Sequence, residues 1–354
     1  MVKLVLLASG NSYHATRWAN SLSERGLNVT FITIHKINRP LNEKIKIFYV
    51  GGASKFSYLI AVPRVRKIIK SIKPDIVHSH SAGGYGLLGL LCGFRPWILS
   101  VYGSDIYSMP HKSIIHWLLI KSYLKNATKI LSTSKAMAER TVKTYNGIEF
   151  PIVTPFGVEL KSFKKRKIKN DNIVSIGIVK SLEKKYGIDI LIRAFEILTK
   201  KSDKNLELHI VGEGNELKKL IKLKNNTSCS ESIFFHGAIP NSKVPDFLNN
   251  LDIFVVPSRS ESFGVAAVEA SAMELPVIVS NVGGLPEVIE NGKTGLVVPK
   301  ENPDALCEAM IKLINDKNYR KKLGLAGCKK VEHEYDWDKN VSLVINIYNK
   351  ILSS

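Results

Sequence analysis

Residues 3–34, KLVLLASGNSYHATRWANSLSERGLNVTFITI, decide the fold. A short apolar run (KLVLLAS, 3–9) gives way to a segment with helical spacing (YHATRWANSLSERG, 13–26), and a second apolar run (NVTFITI, 28–34) follows. Apolar runs this short, bounded by turn residues, read as strands. Gly26 is placed to stop the helix between them. The pattern is strand, helix, strand, the unit from which parallel sheets are built.

The same rhythm continues outward. KIKIFYV, DIVHSH, WILSVYG, KILSTS and FPIVTPFG read as further strands, with helices at about 58–72, 113–126 and 135–146. Between 157 and 170 the periodicity is lost among lysines. It restarts with NIVSIGIV, LELHIVG, SIFFHGA, DIFVVPS, PVIVSNV and GLVVP, separated by helices at 187–200, 215–224, 242–250 and 264–273 and followed by helices at 303–315 and 319–333. The last segment, DWDKNVSLVINIYNKIL, is an amphipathic helix with no strand of its own. An α/β chain of 354 residues is longer than one core usually fills. Two Rossmann-like domains are therefore expected, at 1–160 and 161–335, with 336–354 as a closing helix.

Hydrophobic content of 45% and charged content of 23% are ordinary for a folded soluble chain and exclude extended disorder. The formal charge of +20 is uneven: residues 1–160 carry a net +14 and the run KSFKKRKIKN (161–170) six more, so the remainder is neutral. Such asymmetry suggests an anionic partner, either a nucleic acid or an anionic membrane surface. Four cysteines (Cys92, Cys229, Cys307, Cys328) show neither CxxC spacing nor disulfide-scaffold density, which fits a reducing compartment. The start reads as a first strand and not as a signal peptide, and no apolar run reaches the length of a membrane span.

Open parallel sheets bind ligands at the carboxyl ends of their strands. In the second half those positions gather Lys180, Lys184 and Lys185 in one loop, the glycine pair Gly212 and Gly214, the segment ending at Ile239, and SRSESFGVAAVEASAMELP at 258–276. Ammonium groups in a loop before a helix suit phosphate oxygens. Ser262, Phe263, Gly264 and Val265 run into a helix whose first N–H groups have no internal partner and favour an anion. Glu261 stands just ahead and Glu269 eight residues on, and a carboxylate can accept two hydroxyl hydrogen bonds from a sugar diol. Neither half is read as containing a G-x-G-x-x-G dinucleotide fingerprint or a P-loop, which argues against a nicotinamide enzyme or a P-loop ATPase.

These residues resemble a known family. ESFGVAAVE (261–269) is similar to the E-x7-E signature of retaining family-4 glycosyltransferases. SNVGGLPEVIENGKTGLVVP, SIGIVKSLEKKYGIDILIRAF, LHIVGEG and FFHGAIP resemble the elements around it, in order. The resemblance covers essentially the whole chain. It implies the GT-B fold: two Rossmann-like domains with a cleft between them, acceptor first and donor second, and a C-terminal helix crossing back. It implies transfer of a sugar from a nucleotide-diphosphate sugar, a UDP-sugar favoured, to an acceptor hydroxyl with retention.

Carried over, Glu269 would hold the ribose and Glu261 the transferred sugar, with the 262–265 N–H groups positioning sugar and diphosphate. Lys185 would meet the diphosphate. Ile178 stands where an Arg is common, and Lys180 takes its place as a less equivalent phosphate ligand. No DxD motif stands where a metal would meet the diphosphate, so metal independence is expected.

In the first half, SGNSYHATRWANSLSERG (9–26) resembles a branch with N-x-x-x-H-x-x-R-W. Gly10 and Asn11 would approach the diphosphate, His14 and Arg17 the acceptor, while Trp18 packs on the sheet. Ser104 and Asp105 of VYGSDIY, and His80 of DIVHSH, join the acceptor set, with Asp105 the substrate contact. IIHWLLIKSYL (114–124), among Lys112, Lys121, Lys125 and Lys129, suits either a packed interior or a lipid headgroup surface. The expected setting is therefore cytoplasmic, on the inner face of the membrane, with a lipid-linked or other glycan acceptor of cell-surface or lipopolysaccharide synthesis. The alternatives are a GT-B sugar phosphorylase, a nucleotide-sugar 2-epimerase, or a basic nucleic-acid-binding protein. The last leaves the strand-end acids without a purpose and has no RNP, KH or zinc pattern to support it.

Overall fold

A computed structural model describes residues 1–52, 56–166 and 173–353. The chain divides into two compact units, one of residues 1–155 and 339–354, the other of residues 156–338. Part of the basic run 161–170 lies outside the described residues.

The first unit contains β1 (Lys3–Leu7), α1 (Tyr13–Glu24), β2 (Asn28–Thr33), β3 (Lys46–Tyr49), α2 (Ser57–Ile72), β4 (Ile76–His80), α3 (Gly84–Cys92), β5 (Trp97–Val101), α4 (Ser104–Tyr107), α5 (Ile114–Asn126), β6 (Lys129–Ser132), α6 (Lys135–Thr144) and β7 (Ile152–Val153). Its seven strands pair in parallel in the order β3-β2-β1-β4-β5-β6-β7. β4 and β5 are buried at every residue, as strands with both faces covered must be. The helix stop works as read: Gly26, at φ 86°, follows the α1 cap in the left-handed region that glycine enters most easily.

The second unit repeats the plan with β8 (Ile173–Val179), α7 (Ile188–Lys201), β9 (Asn205–Val211), α8 (Leu217–Asn225), β10 (Ile233–Phe235), α9 (Val244–Leu248), β11 (Ile253–Val256), α10 (Val265–Ala272), β12 (Val277–Ser280), α11 (Leu285–Val288), β13 (Gly295–Val298), α12 (Pro303–Asn315) and α13 (Lys317–Glu334). Its six parallel strands run β10-β9-β8-β11-β12-β13. Ile176, Ile178, Leu191, Phe195, Leu208, Val255 and Ile278 form the centre of its core. The helix expected at 242–250 is shorter, a 3-10 turn at Asn241–Lys243 leading into α9. Both units are thus doubly wound, Rossmann-like sheets.

The final helix, α14 (Trp337–Ser353), buries Val341, Val344, Ile347 and Tyr348 on one face. From Lys339 it belongs to the first unit. Tyr348 Oη lies 2.7 Å from His78 Nδ1 on β4, and Arg25 Nη1 donates to Ser342 Oγ at 2.9 Å.

One reading of the glycines needs correction. GYGLLG, residues 84–89, does have G-x-G-x-x-G spacing. It lies along α3 and not in a strand-to-helix turn, and its glycines make room for neighbours: Tyr58 at Gly84, Tyr123 at Gly86, Trp97 at Gly89. Close packing accounts for the pattern.

Tyr348→Phe leaves the ring of a fully buried histidine short of a partner. A loss of about 1–3 kcal/mol is expected, read as a lower urea midpoint at unchanged slope. An unmoved midpoint refutes the role given to this bond.

Candidate functional site

In each sheet the strand order reverses at one place, between β1 and β4 in the first unit and between β8 and β11 in the second. Connections leave those neighbouring strands toward opposite faces, which opens a gap between their following loops. Most of the candidate residues lie at these two points.

In the second unit, the loop after β8 carries Lys180 and Lys185, and the loop after β11 carries Glu261. Lys180 Nζ lies 2.6 Å from Glu261 Oε2, and the side chains are only 14% and 11% exposed. A pair this close and this enclosed is held by geometry, since each charge alone would bear an uncompensated desolvation cost. The Lys180 ammonium also sits 4.5 Å from the centroid of the Tyr186 ring, and the Lys185 ammonium 4.8 Å from the same centroid. Lys185 Nζ reaches Glu183 Oε2 at 3.1 Å. Burial acts to lower its pKa, but the Glu183 hydrogen bond and the Tyr186 ring outweigh it and leave Lys185 above the usual lysine range. It stays cationic.

The position of Ile178 is explained by its strand. It is the sixth residue of β8 and lies in the core, 1% exposed, so a charged side chain there would face apolar neighbours. Lys180 is the first residue beyond the strand.

Glu261 precedes the first residue of α10 by four positions, so it belongs to the loop and not to the helix. Glu269 lies within α10, half-buried, beside the buried Ala266, Ala267, Val268 and Ala270. Gly264 caps that helix at φ 110°, and Ser262 and Val265 on either side are half-buried. Phe263 turns the other way, its ring set against Phe156 and Tyr335. Gly212 and Gly214 abut the backbone of Lys180 and Leu182, and Leu182 N–H donates to Glu213 O at 2.8 Å. The glycine pair thereby packs against the lysine loop. Ile239 is half-buried after β10.

In the first unit, Gly10 and Asn11 follow β1. Gly10 N–H donates to Thr33 Oγ1 at 3.0 Å, and exposed Asn11 accepts from Ser9 Oγ at 2.6 Å. His14 and Arg17 are half-buried on the first turns of α1, and Trp18 is in the core. His80, the last residue of β4, is buried with Nδ1 at 2.8 Å from Tyr102 Oη. Burial first, and the neighbouring His14 second, hold its pKa down at about 3, so it is neutral at ordinary pH.

The Asp105 carboxylate is engaged by the backbone around it. It accepts from the N–H groups of Ala82 (2.8 Å), Gly103 (2.7 Å) and Tyr102 (3.1 and 3.2 Å). Those bonds fix the loop after β5 against the one after β4. Ser104 beside it is exposed. Among the described residues no group of three or more His, Cys, Asp or Glu side chains could hold a metal ion. Asp336 and Asp338 have DxD spacing, yet Asp336 Oδ1 accepts the N–H of Asp338 at 2.8 Å in the turn that starts α14.

Three residues escaped the sequence reading: Tyr186, whose ring lies beside both ammonium groups, Tyr102, and Arg259. Tyr102 directly follows β5 and Arg259 lies in the loop after β11, while Tyr186 ends a 3-10 turn well beyond β8. Only tertiary contacts give them partners.

Two family models match the chain. Residues 158–330 match "Glycosyl transferases group 1", and residues 3–134 match "Glycosyl transferase 4-like". An uncharacterized glycosyltransferase of Methanocaldococcus jannaschii is 32% identical over 310 residues, 83% of this chain and 81% of the relative. The capsular polysaccharide biosynthesis glycosyltransferase CapM of Staphylococcus aureus is 30% identical over 328 residues, 84% of this chain and 82% of its own. Among solved structures, Anabaena HepE in complex with UDP-glucose shares the fold at a TM-score of 0.82 and 15% identity, covering 99% of this chain and 100% of that one.

Because folded His80 has a depressed pKa, the unfolded chain takes up a proton first as pH falls. Its contribution to stability is whole above about pH 6.5 and declines from there toward about 3. Urea unfolding at pH 7.5 and 5.0 is expected to show a smaller drop in His80→Asn than in the parent. Equal drops would exclude a neutral, buried His80.

Proposed function

Because the chain belongs to the glycosyl transferases group 1 family, and is a glycosyltransferase, we propose that it moves a sugar with retention from a nucleotide-diphosphate sugar to an acceptor hydroxyl in cell-surface glycan or lipopolysaccharide synthesis. The observation that carries this reading is the pairing of Lys180 with Glu261 at the switch point of the second unit, with Lys185 alongside. A diphosphate needs cations where charge grows as the glycosidic bond breaks, and a sugar needs a carboxylate to receive its hydroxyls. Both stand within one loop pair. A UDP-sugar is the favoured donor, in keeping with the UDP-glucose held by the Anabaena relative of the same fold.

In this reading Lys185 and Lys180 stabilise the departing diphosphate, Glu261 orients the transferred sugar and Glu269 holds the ribose. The N–H groups of 262–265, with Gly212, Gly214 and Ile239, border the donor. No second carboxylate beside Glu261 is assigned as a covalent nucleophile. The leaving phosphate assists deprotonation of the incoming hydroxyl on the same face of the sugar. The first unit takes the acceptor through His14, Arg17, His80 and Ser104, with Asp105 holding their loop, and Gly10 and Asn11 approach the diphosphate. No metal is assigned a role.

The acceptor is lipid-linked and the enzyme works at an anionic membrane on its cytoplasmic face. α2 and α5 both pack on α3. Ile114, Ile115, Leu118 and Leu119 on α5, with Phe56, Leu59 and Ile60 at the start of α2, are exposed at 41–69%. Exposed Lys112 and Lys125, and Arg64, Lys67 and Lys70 of α2, supply the charge that anionic headgroups attract. Lys129 stands outside this face, since its ammonium is bonded to Glu149 at 2.6 Å. No described helix is long and apolar enough to cross a membrane.

A labelled panel of UDP-glucose, UDP-N-acetylglucosamine and GDP-mannose, offered with lipid-linked sugar acceptors, tests the reaction. Glu269→Ala is expected to weaken binding of the cognate nucleotide by about 10–100-fold, the worth of a charge-assisted hydrogen bond of about 1.5–3 kcal/mol. Calorimetry with UDP and GDP measures it, and unchanged affinity removes Glu269 from the ribose.

For the membrane, Ile115→Ser with Leu118→Ser, or Lys112 and Lys125 both changed to Gln, is expected to cut co-sedimentation with phosphatidylglycerol vesicles several-fold. Each cation near such a surface contributes about 1 kcal/mol. Added salt should weaken the parent's binding, and donor hydrolysis should stay level. Binding that survives both changes refutes the surface.

A further inference from the structure

Arg259 is the second residue of the SRSES stretch, in the loop between β11 and α10, and its side chain is only 18% exposed. Its guanidinium joins three strand-end loops. Nη1 and Nη2 donate to Asp189 Oδ1 and Oδ2 at 2.8 and 2.7 Å, a two-pronged grip on the first turn of α7. Nε donates to Glu301 Oε1 at 2.8 Å, beyond β13, and Nη1 also reaches the carbonyl of Lys184 at 2.7 Å. The backbone N–H of Arg259 donates to the carbonyl of Lys185 itself at 2.8 Å. The Asp189 hydrogen bonds, with Glu301 in support, raise the Arg259 pKa further above its usual range. At Asp189, burial acts to raise the pKa, but the Arg259 bonds prevail and lower it. Gly187, at φ 67°, lets the lysine loop lie directly against the backbone of Pro257.

The two cations that face the proposed diphosphate are therefore fixed in different ways. Lys180 is fixed by its own contact with Glu261. Lys185 has a half-exposed side chain, and its backbone is held by the Arg259 segment. We infer that Arg259 is a positioning residue for Lys185. Its planar fork ties Lys184–Asp189 to the loop carrying Glu261, so that ammonium and carboxylate keep one spacing across the donor. The inference rests on the assignment of Lys185 to the diphosphate. A lysine at 259 would keep one charge but could not span both Asp189 oxygens, Glu301 and a carbonyl together.

The test is a double-mutant cycle of Arg259→Ala and Lys185→Ala, assayed with whichever of UDP-glucose, UDP-N-acetylglucosamine and GDP-mannose is turned over fastest. Arg259→Ala alone is expected to lower kcat about 10–100-fold, the scale of a misplaced catalytic group, with nucleotide Kd changed less than about threefold. In the Lys185→Ala background the same change should cost less than about threefold, because a residue acting through Lys185 has nothing left to position. Arg259→Lys should recover thermal stability without recovering kcat. Asp189→Asn, nearly the same shape, should repeat the kcat loss and serves where Arg259→Ala does not fold. Multiplicative losses, a loss confined to KM, or full recovery by Arg259→Lys each overturn the inference while leaving Lys185 in place. A Lys185→Ala enzyme with parental kcat overturns the diphosphate assignment, and this inference with it.

Discussion

The structure depends on parallel pairing between strands buried on both faces. Such strands have no free side for chemistry, so reactive groups can stand only beyond their ends. Where the order reverses, the loops of two adjacent strands diverge and leave room for a ligand. In the second unit this puts Lys180, one residue past β8, within 2.6 Å of Glu261, five residues past β11. In the first unit it puts Gly10 beyond β1 and His80 at the end of β4. The placement follows from topology before any particular side chain is considered.

Much of this was legible because strand and helix periods are local properties. KLVLLAS, NVTFITI and DIFVVPS contain their strands, and α12 has the bounds its pattern predicts. Contacts between distant segments were not legible. The spacing of GYGLLG is the same whether the glycines meet a phosphate or, as here, the rings of Tyr58, Tyr123 and Trp97. Asp105 reads as an available acid until its carboxylate is found receiving N–H groups from residues on two loops. Nothing local singles out Arg259 in its serine-rich turn, because its partners, Asp189, 70 residues earlier, and Glu301, 42 later, are brought to it only by the fold. An exposed charge and a committed one have the same sequence signature.

The Lys180–Glu261 contact also limits what single substitutions can reveal. Two enclosed charges at hydrogen-bond distance stabilise each other, and removing one strands the other. The loss measured for either alone thus mixes a substrate contact with the cost of the abandoned partner. Lys185 and Glu269 lie outside that pair, so substituting either leaves the Lys180–Glu261 contact its two members. A bound donor would offer Lys180 a second anion and Glu261 new hydroxyl donors. Without one, the pair holds the two side chains at a single place between the loops after β8 and β11.

Charge is distributed differently in the first unit. Its strand-end histidine is neutral, held so by burial, and its strand-end acid is already saturated by backbone N–H groups. The positive excess of residues 1–160 is therefore not concentrated among the candidate acceptor groups. Exposed Arg64, Lys67 and Lys70 on α2, with Lys112 and Lys125 beside and on α5, carry part of it next to exposed isoleucine, leucine and phenylalanine. Charge on such outer helices acts over about a Debye length, roughly 8–10 Å at physiological salt, which is the range at which a surface attracts and not the range of bond-making. Apolar side chains beside it act only on contact, by leaving water. In the proposed membrane reading the two divide one task, approach by the cations and residence by the apolar face.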